Sequence, residues 1–419
     1  MESVLVLDAQ ARNSLAVIRS LGKRRLRVVG GEETAFAPGL FSRYCHGRFI
    51  YPSPYGAAER FTTALLEHVK SHRYSVLYPV TDATVTPVAQ HYDLFSQYVR
   101  LPIPPLATLQ RALDKRETIL AARRHGIPHP RTFLVGEDGG LDDAVRAIPF
   151  PAVIKPARSF GSRGLAIVRD EAELRRAYAE TAARYGSGLI QEHIPSAGEI
   201  GVSALLNFAS EVRAICVHRR IRSYPVSGGP STLRETIRRP DAVALAAEFL
   251  KKLEWWGVAM VEFRVDARDG VPKLMEVNPR FWGSLQLSIL AGVDFPYLLH
   301  KLVTTGATDT VPDYRVGVKC RWLVPGDLLH FWASPQKWRL LPDFLKFYRR
   351  DMGYDTFSLE DPLPSLALLA TVLRFSMSKK MWAFVLRDPG KVSGAGREGA
   401  GGTARGHCSR GAVSRRVNP

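Results

Sequence analysis

Two apolar segments separated by a tight turn constrain the fold of this sequence more than any other feature. Residues 258–265 and 273–280 both have the composition of β-strands, and an Asp-Gly pair lies between them. Asp-Gly is a strong signal for a hairpin turn. The sequence therefore predicts an antiparallel hairpin at this point of the chain.

The predicted hairpin brings oxygen-bearing side chains together. Side chains alternate between the two faces of a strand, so Glu276, Asn278 and Arg280 share one face of the second strand. Glu262 interrupts the apolar run of the first strand and is expected to lie across from Glu276 and Asn278. Two carboxylates and an amide beside a guanidinium suit a magnesium ion that bridges nucleotide phosphates. The alternative is an exposed hairpin with scattered charges.

Size and composition limit the classes of protein to consider. The 419 residues exceed one ordinary core, and 46% hydrophobic with 23% charged residues is typical of a globular chain of two or three domains. Four widely spaced cysteines and the lack of a signal-peptide pattern predict a reducing, cytoplasmic location without a zinc site. The net charge of +18 comes without a nucleic-acid-binding motif. A protein that binds nucleotide phosphates and anionic substrates explains this charge, and we expect no nucleic acid partner.

The first hundred residues have the pattern of a parallel α/β sheet. Strands are predicted at 3–8, 27–30 and 75–80, and a helix at 13–21 joins the first two as in a β-α-β unit. No GxGxxG motif follows the first strand, so a dinucleotide site is not supported. Asp82 follows the third strand, where it either contacts a substrate or caps the next helix.

The middle of the chain places cationic side chains near a glycine-rich loop. One helix is predicted over 110–125 and carries Lys115, whereas Lys155 ends the apolar strand 151–156. Burial disfavours a charge at such a strand end unless an anion accompanies it. The loop 157–164 contains glycine, serine and arginine, whose N–H and O–H donors suit phosphate oxygens. A plain hairpin turn has the same composition.

Two later strands end in polar segments. The strand 188–194 runs into a predicted turn at 195–199, where the strand backbone could bind an adenine and Glu199 a ribose. The strand 212–221 ends in a cluster of arginines before the loop 224–232. The glycine and serine content of this loop is typical of a mobile lid over an anionic substrate or of an exposed loop.

Taken in order, these segments resemble the ATP-grasp superfamily, in particular its carboxylate–amine ligase-like members. The resemblance runs from the first strand to about Leu302 and rests on the following segments: Asp114-Lys115, Ile154-Lys155-Pro156, residues 159–164, Gln191-Glu192, Gly198-Glu199, Val261-Glu262-Phe263 and Glu276-Val277-Asn278-Pro279-Arg280. The runs 278–284 and 291–296 are similar to this subgroup in particular. The turn before Glu199 is longer than in many relatives.

The resemblance implies an ATP-grasp fold that combines α/β and α+β structure. It implies a Rossmann-like, parallel-sheet pre-ATP-grasp domain at residues 1–108 and an ATP-grasp domain at 109–310. Composition predicts a mostly helical extension at 311–387 and a disordered tail at 388–419. The segment 363–386 either packs on the body or lies as a basic amphipathic helix on an anionic membrane surface.

The resemblance also implies residue roles. ATP is the expected nucleotide and Mg²⁺ the expected metal, with Mn²⁺ as an alternative. Nucleotide contacts are implied for Lys115, Lys155, Ser159, Gly161, Ser162, Gly164, Gln191, Glu192, His193, Ile194 and Glu199. Metal ligation is implied for Glu262, Glu276 and Asn278, and catalytic roles for Lys155, Arg220 and Arg280.

The function implied by the resemblance is an ATP- and magnesium-dependent ligase. It would activate a small-molecule carboxylate as an acyl phosphate and couple it to an amine. The alternatives are a non-catalytic ATP-binding module and a small-molecule phosphotransferase. The sequence leaves the two substrates and the oligomeric state open.

Overall fold

The amino-terminal residues form a parallel four-stranded sheet, as predicted. Its strands are β1 (Ser3–Val6), β2 (Arg27–Glu32), β3 (Cys45–Ile50) and β4 (Val76–Tyr78), and its helices are α1 (Arg12–Lys23), α2 (Ala58–Ser71), α3 (Asp82–Gln90) and α4 (Tyr92–Ser96). The strand order is β3-β2-β1-β4. Along β1, Leu5 packs in one hydrophobic cluster while Val4 and Val6 pack in another, since the sheet is covered on both faces. This explains why the strand reads as a continuous apolar run.

A smaller sheet follows this domain. Its elements are α5 (Leu106–Leu113), α6 (Lys115–Arg124), β5 (Thr132–Leu134), α7 (Leu141–Ala147), β6 (Ala152–Pro156), β7 (Ala166–Val168), α8 (Glu171–Tyr185) and β8 (Gly188–Glu192), with strand order β5-β8-β6-β7. The prediction of one helix over 110–125 was wrong, because the helix is interrupted at Asp114, between α5 and α6. The carboxylate of Asp114 accepts a hydrogen bond from the Arg116 backbone N–H and caps α6. Lys115 therefore begins a helix.

The central sheet has seven strands and carries the predicted hairpin. Its elements in chain order are β9 (Ser196–Leu206), β10 (Val212–Ser223), β11 (Ser231–Thr236), α9 (Pro240–Lys252), β12 (Gly257–Asp266), β13 (Pro272–Asn278), α10 (Leu285–Leu290), α11 (Phe295–Thr305), β14 (Lys319–Arg321), α12 (Leu328–Ala333), α13 (Lys337–Phe344), β15 (Met352–Tyr354) and α14 (Leu363–Ser376). The strand order is β13-β12-β9-β10-β11-β14-β15. Val202 on β9 and Val261 on β12 pack with Phe249 of α9 on one face. On the other face, the carboxyl-terminal half of β12 carries the polar side chains of Glu262 and Arg264.

Two parts of the predicted topology need correction. Residues 195–199 are not a turn, because Ser196 begins β9 and pairs with Asp266 of β12. The described part of the carboxyl-terminal extension contains α12, α13 and α14, but β14 and β15 also join the central sheet, where Lys319 pairs with Met352. The extension is thus continuous with the sheet that carries the predicted hairpin.

The computed structural model describes residues 2–158, 164–226, 228–347 and 349–376. The predicted loop residues Ser159, Gly161 and Ser162 lie outside the described residues, as do the last part of the segment 363–386 and the predicted tail at 388–419. Within the described ranges, no helix has the length and apolar composition needed to cross a membrane.

A buried carboxylate fastens the extension to the first domain. Asp361 accepts hydrogen bonds from Arg19 Nε at 2.8 Å, Ser42 Oγ at 2.7 Å and the Arg43 backbone N–H at 2.8 Å. Arg19 also donates to the Thr356 carbonyl at 2.9 Å. The segment before α14 is therefore held by charge-assisted hydrogen bonds rather than by apolar packing alone.

Replacing Asp361 should destabilise the protein through this contact. We expect Asp361→Asn to lower the free energy of unfolding by about 3 kcal/mol, because it leaves the buried Arg19 guanidinium without its counter-charge. Asp309→Asn removes an exposed partner of Lys301 and should cost less than about 1 kcal/mol. Denaturant titration followed by circular dichroism measures both values. Equal, small losses would contradict the anchoring role of Asp361.

Candidate active site

The register of the central sheet brings the predicted acids to one face. Residues directly opposite each other on antiparallel strands share a face. Glu262 on β12 lies opposite Glu276 on β13, and Arg264, two residues further along β12, lies opposite Glu199 on β9. Asn278 is two residues beyond Glu276 on the same face. The sheet therefore gathers three carboxylates, one guanidinium and one amide in a single layer.

A partly buried guanidinium links two of these acids. Arg220 on β10 donates to Glu199 Oε2 at 2.8 Å and to a carboxylate oxygen of Glu262. Arg264 donates to the other oxygen of Glu199 at 2.7 Å. Burial raises the pKa of Glu199, but the charges of Arg220 and Arg264 outweigh burial and hold this pKa below its usual value. Glu199 is therefore a carboxylate with two cationic partners.

Glu262 has the opposite pKa shift. Burial raises its pKa, the Arg220 charge opposes the rise, and the negative charge of Glu276 adds to it. Asn278 Nδ2 lies 3.3 Å from Glu262 Oε1 and donates a hydrogen bond to it. The net rise means that the cationic groups around Glu262 do not fully compensate its charge. A further cation at this point would stabilise the ionised form.

The residues fit a magnesium ion. Two carboxylates and an amide offer hard oxygen donors on adjacent strands, which is the ligand type that Mg²⁺ prefers. Among the residues that the structure describes, no group of three or more His, Cys, Asp and Glu side chains is arranged to hold a metal. An ion held by Glu262, Glu276 and Asn278 would therefore complete its coordination with water or phosphate oxygens, as Mg²⁺ commonly does.

Two lysines approach this layer from the smaller sheet. Lys115 Nζ at the start of α6 lies 3.7 Å from Glu276 Oε2. Lys155 near the end of β6 is partly buried. Its pKa is lowered to about 8, mainly by burial and also by the charges of Lys115 and Arg264, while the charges of Glu276 and Glu199 oppose this. The space between the smaller sheet and the central sheet is therefore rich in cationic groups, which suits a polyphosphate.

The segment predicted to hold a base uses its side chains elsewhere. Gln191 is buried and donates to Thr132 Oγ1 at 2.8 Å, and the Glu192 carboxylate accepts from the Arg131 backbone N–H and from Arg268. Ile194 is buried, and burial lowers the pKa of His193. Contacts of Gln191 and Glu192 with a base would thus run through the backbone. Their nucleotide-binding role stays a prediction.

Glycine is required at the described end of the predicted phosphate loop. Gly164 has a φ of +73°, and a Cβ there would lie 2.6 Å from Pro156 and 2.8 Å from Tyr185. The tight approach fixes the path by which the chain returns to β7 after β6.

Arg280 contacts the first domain. Its guanidinium donates to both oxygens of Asp82, at 2.8 and 2.5 Å. Neither sequence interpretation of Asp82 included this pair: the helix cap is Thr81, and the Asp82 carboxylate lies in the first turn of α3. The ion pair joins the end of the predicted metal-binding strand to the carboxyl edge of the parallel sheet, and it raises the pKa of Arg280 against the effect of burial.

Sequence reasoning missed other residues of this face. Arg264 follows Glu262 by two positions, so strand alternation alone would have placed it there. His218 on β10 lies opposite Gly201 on β9. Burial, together with the charges of Arg234 and Arg220, lowers the pKa of His218 to about 3. Its ring is therefore neutral near physiological pH. No spacing in the sequence indicated that His218 would lie beside Ser284, at 3.4 Å from its hydroxyl.

Comparisons with known proteins indicate which proteins this chain is similar to. A family model described as "ATP-grasp in the biosynthetic pathway with Ter operon" matches residues 189–324. D-aspartate ligase from Enterococcus faecium is 25% identical over 232 residues, which are 50% of this chain and 54% of that protein. Formate-dependent phosphoribosylglycinamide formyltransferase from Sodalis glossinidius is 29% identical over 263 residues, which are 61% of this chain and 63% of that protein. The chain thus spans between half and two thirds of these curated relatives.

The structural comparison defines the fold. Biotin carboxylase from Campylobacter jejuni, solved with a β,γ-ATP analogue, superposes with a TM-score of 0.63 at 15% sequence identity and covers 76% of this chain and 74% of that one. The architecture is therefore that of ATP-grasp proteins. Over the matched residues the chain is similar to ATP-grasp proteins, in particular to carboxylate–amine ligase-like members.

Removing the Arg220 side chain should destabilise the folded protein, because the acids that it neutralises would lose a counter-charge. We expect Arg220→Met to lower the free energy of unfolding by about 3 kcal/mol at neutral pH, because two partly buried carboxylates lose their shared partner. The pKa values of these acids would then lie above their unfolded values, so the deficit grows as pH rises above the unfolded pKa and shrinks on acidification. Denaturant titrations at about pH 5 and about pH 8 measure this difference.

The matched control is the neighbouring residue. Arg219→Met removes the same charge from an exposed side chain whose partner is Glu235. It should cost less than about 1 kcal/mol at either pH. A deficit of Arg220→Met that did not change with pH would contradict the pairing of Arg220 with ionised acids.

Proposed function

We propose that this chain is an ADP-forming ligase that uses ATP and Mg²⁺ to join a small-molecule carboxylate to an amine. The observation that carries the proposal is the cluster in which Lys155 interacts electrostatically with Glu276, while Glu262 and Asn278 lie on the same sheet face as Glu276 and Arg280 follows two residues after β13. Support comes from relatives named as a D-aspartate ligase and as a formate-dependent transferase, since formate is a carboxylate.

The proposed reaction has two displacement steps. An oxygen of the substrate carboxylate attacks the γ-phosphorus of ATP, the bond to the β,γ-bridging oxygen breaks, and ADP leaves. The amine nitrogen then attacks the acyl carbon of the resulting acyl phosphate, inorganic phosphate leaves, and the amine loses a proton. Both steps build charge on oxygen and need electrostatic stabilisation rather than a protein nucleophile.

Each cationic group has a place in this scheme. Lys115 and Lys155 would hold the phosphates of ATP, and Arg280, fixed by Asp82, would stabilise the transferred phosphoryl group. Glu262, Glu276 and Asn278 would hold Mg²⁺, which neutralises phosphate charge when bound. Arg220 would keep the Glu262 carboxylate in place.

The organisation of the chain is part of the proposal. The domains would run from 1 to 108 and from 109 to 310, with the first domain helping to bind the substrates through the edge that contains Asp82. We also propose small molecules as the substrates and the cytoplasm as the location.

Turnover should depend on the carboxylate of Glu276. Purified protein with ATP, Mg²⁺ and a pool of amino acids and other carboxylates should release ADP and phosphate only when substrates are present. We expect Glu276→Gln to lower this rate by about two to three orders of magnitude, the usual effect of losing a group that stabilises transition-state charge. Glu211→Gln, at an exposed hairpin position, is the matched control and should keep the rate.

The products separate the candidate functions. Mass spectrometry should find a condensed carboxylate–amine product. A stable phosphorylated small molecule instead would indicate a phosphotransferase, and ATP binding without turnover across broad pools would indicate a binding module. Full activity of Glu276→Gln would contradict the proposed metal site.

Nucleotide affinity should weaken at alkaline pH. Lys155 has a pKa of about 8 in the free protein, and phosphate binding favours its protonated form. The affinity for ATP should therefore be highest and constant below this pH. Above it, the affinity should fall by at most about tenfold per pH unit, until the pH reaches the pKa of Lys155 in the ATP complex. Calorimetric titration of ATP between about pH 7 and pH 9.5 covers this window.

Two lysine variants assign the effect. Lys155→Arg stays charged over the whole range and should flatten the dependence. Lys115→Arg leaves Lys155 unchanged and should retain it. The same slope in all three proteins would rule out Lys155 as the titrating group.

A further inference from the structure

A second cavity lies on the opposite face of the central sheet. It has a volume of about 390 Å³, and seven of its twelve lining residues are Lys or Arg whereas two are acidic. One of the seven, Arg220, donates its guanidinium hydrogen bonds to Glu199 and Glu262 in the candidate active site. Arg219 pairs in register with Glu235, and Glu235 pairs with Lys319. Because Arg220 faces the candidate active site, its neighbour Arg219 and the register partners of Arg219 face the other way.

A β-bulge adds Arg222 to this cavity, where it lies beside Arg321. The register of β10 against β11 shifts between Arg220 and Arg222, so Arg222 lies opposite Leu233. Leu233 in turn lies opposite Arg321 of β14. The bulge therefore turns Arg222 away from the candidate active site and towards the cavity, beside Arg321.

The cavity floor holds more buried positive than negative charge. Arg222 and Arg321 are 6% and 1% exposed, and both donate to the buried carboxylate of Asp327, at 2.9 and 2.5 Å. The second acid near Arg222 is Asp343, which is half-exposed. Within the described residues, Arg321 Nη2 makes no hydrogen bond to a carboxylate or a carbonyl, and the Arg321 guanidinium lies over the rings of Phe344 and Phe347. A buried guanidinium with an N–H that no carboxylate or carbonyl accepts favours an additional anion.

The rim adds cations that are weakly held. Lys346 Nζ lies 3.9 Å from Asp343, and Arg349 lies 4.0 Å from the same carboxylate and 3.2 Å from Asp351. Both side chains are more than a third exposed and line the cavity.

We propose that this cavity binds the phosphate group of a small anionic molecule, independently of the nucleotide cleft. Guanidinium forks match phosphate oxygens in geometry, and the volume lies in the range of small-molecule sites. The molecule is either a soluble phosphorylated compound or a lipid with a phosphate headgroup. Leu345 and Phe347, which are 55% and 46% exposed, flank Lys346 and would suit the lipid.

Binding of pyrophosphate to the whole protein tests the site. Without metal or nucleotide, calorimetry should detect pyrophosphate binding that Lys346→Ala/Arg349→Ala weakens at least tenfold. Arg238→Ala/Lys301→Ala removes the same charge from surface pairs elsewhere and should leave the affinity unchanged. Lys155→Ala alters the nucleotide cleft and should also leave this binding event intact.

A sedimentation assay distinguishes the two sources. Neutral phosphatidylcholine vesicles and vesicles that also contain phosphatidic acid are compared for wild type and both double variants. Pyrophosphate binding that depends on Lys346 and Arg349 supports the proposal with a soluble ligand. Phosphatidic acid binding with the same dependence, without pyrophosphate binding, supports it with a lipid ligand.

Three results would overturn the proposal. The first is no binding of either probe. The second is pyrophosphate binding that Lys155→Ala abolishes and Lys346→Ala/Arg349→Ala does not. The third is an equal loss of binding affinity in both double variants, because the affinity would then depend only on the net charge of the protein. Because pyrophosphate binding is measured without turnover, none of these results depends on the proposed ligase activity.

Discussion

The neutralisation of partly buried carboxylates is the constraint on which the arrangement of this protein depends. Glu199, Glu262 and Glu276 lie on adjacent strands, and leaving them ionised away from water would be costly without nearby cations. Arg220 supplies one cation to two of these acids. Lys115 approaches the third from the smaller sheet. The pairing of strands and the approach of the smaller sheet therefore satisfy the same electrostatic requirement.

Similar pairs connect the outer parts of the chain to this layer. Asp82 holds Arg280 at the edge of the first domain, and Asp361 of the extension holds Arg19 of α1. Asp355, beside β15, binds the fully buried Arg234 of β11. Each pair joins segments that are distant in sequence, and each is largely withdrawn from water. The large positive charge of the chain is thus partly structural, since many arginines serve as counter-charges inside the protein.

The sequence was sufficient for features that depend on local pattern. Alternation along the two strands and the Asp-Gly turn predicted the register that places Glu262 opposite Glu276. It was insufficient where a distant partner decides the structure. Asp82 has the local pattern of a helix cap, but its partner Arg280 is 198 residues away. The three-residue strand β14 carries no pattern of its own and exists because β11 and β15 flank it. The break at Asp114 was readable in principle, because aspartate is a preferred helix cap, but the apolar periodicity continues across it.

The opposite pKa shifts of Lys155 and Glu262 bear on what the cleft is built to receive. Burial lowers the pKa of the lysine and raises that of the acid. The surroundings therefore disfavour the charged form of each group, although both lie in one cleft. A direct pair between them would relieve both shifts, but Lys155 belongs to the smaller sheet and Glu262 is already held by Arg220. A ligand with negative charge towards the lysine and positive charge towards the acid would relieve both without moving either strand. A polyphosphate with its bound divalent cation has this distribution of charge, and a simple anion or a simple cation does not.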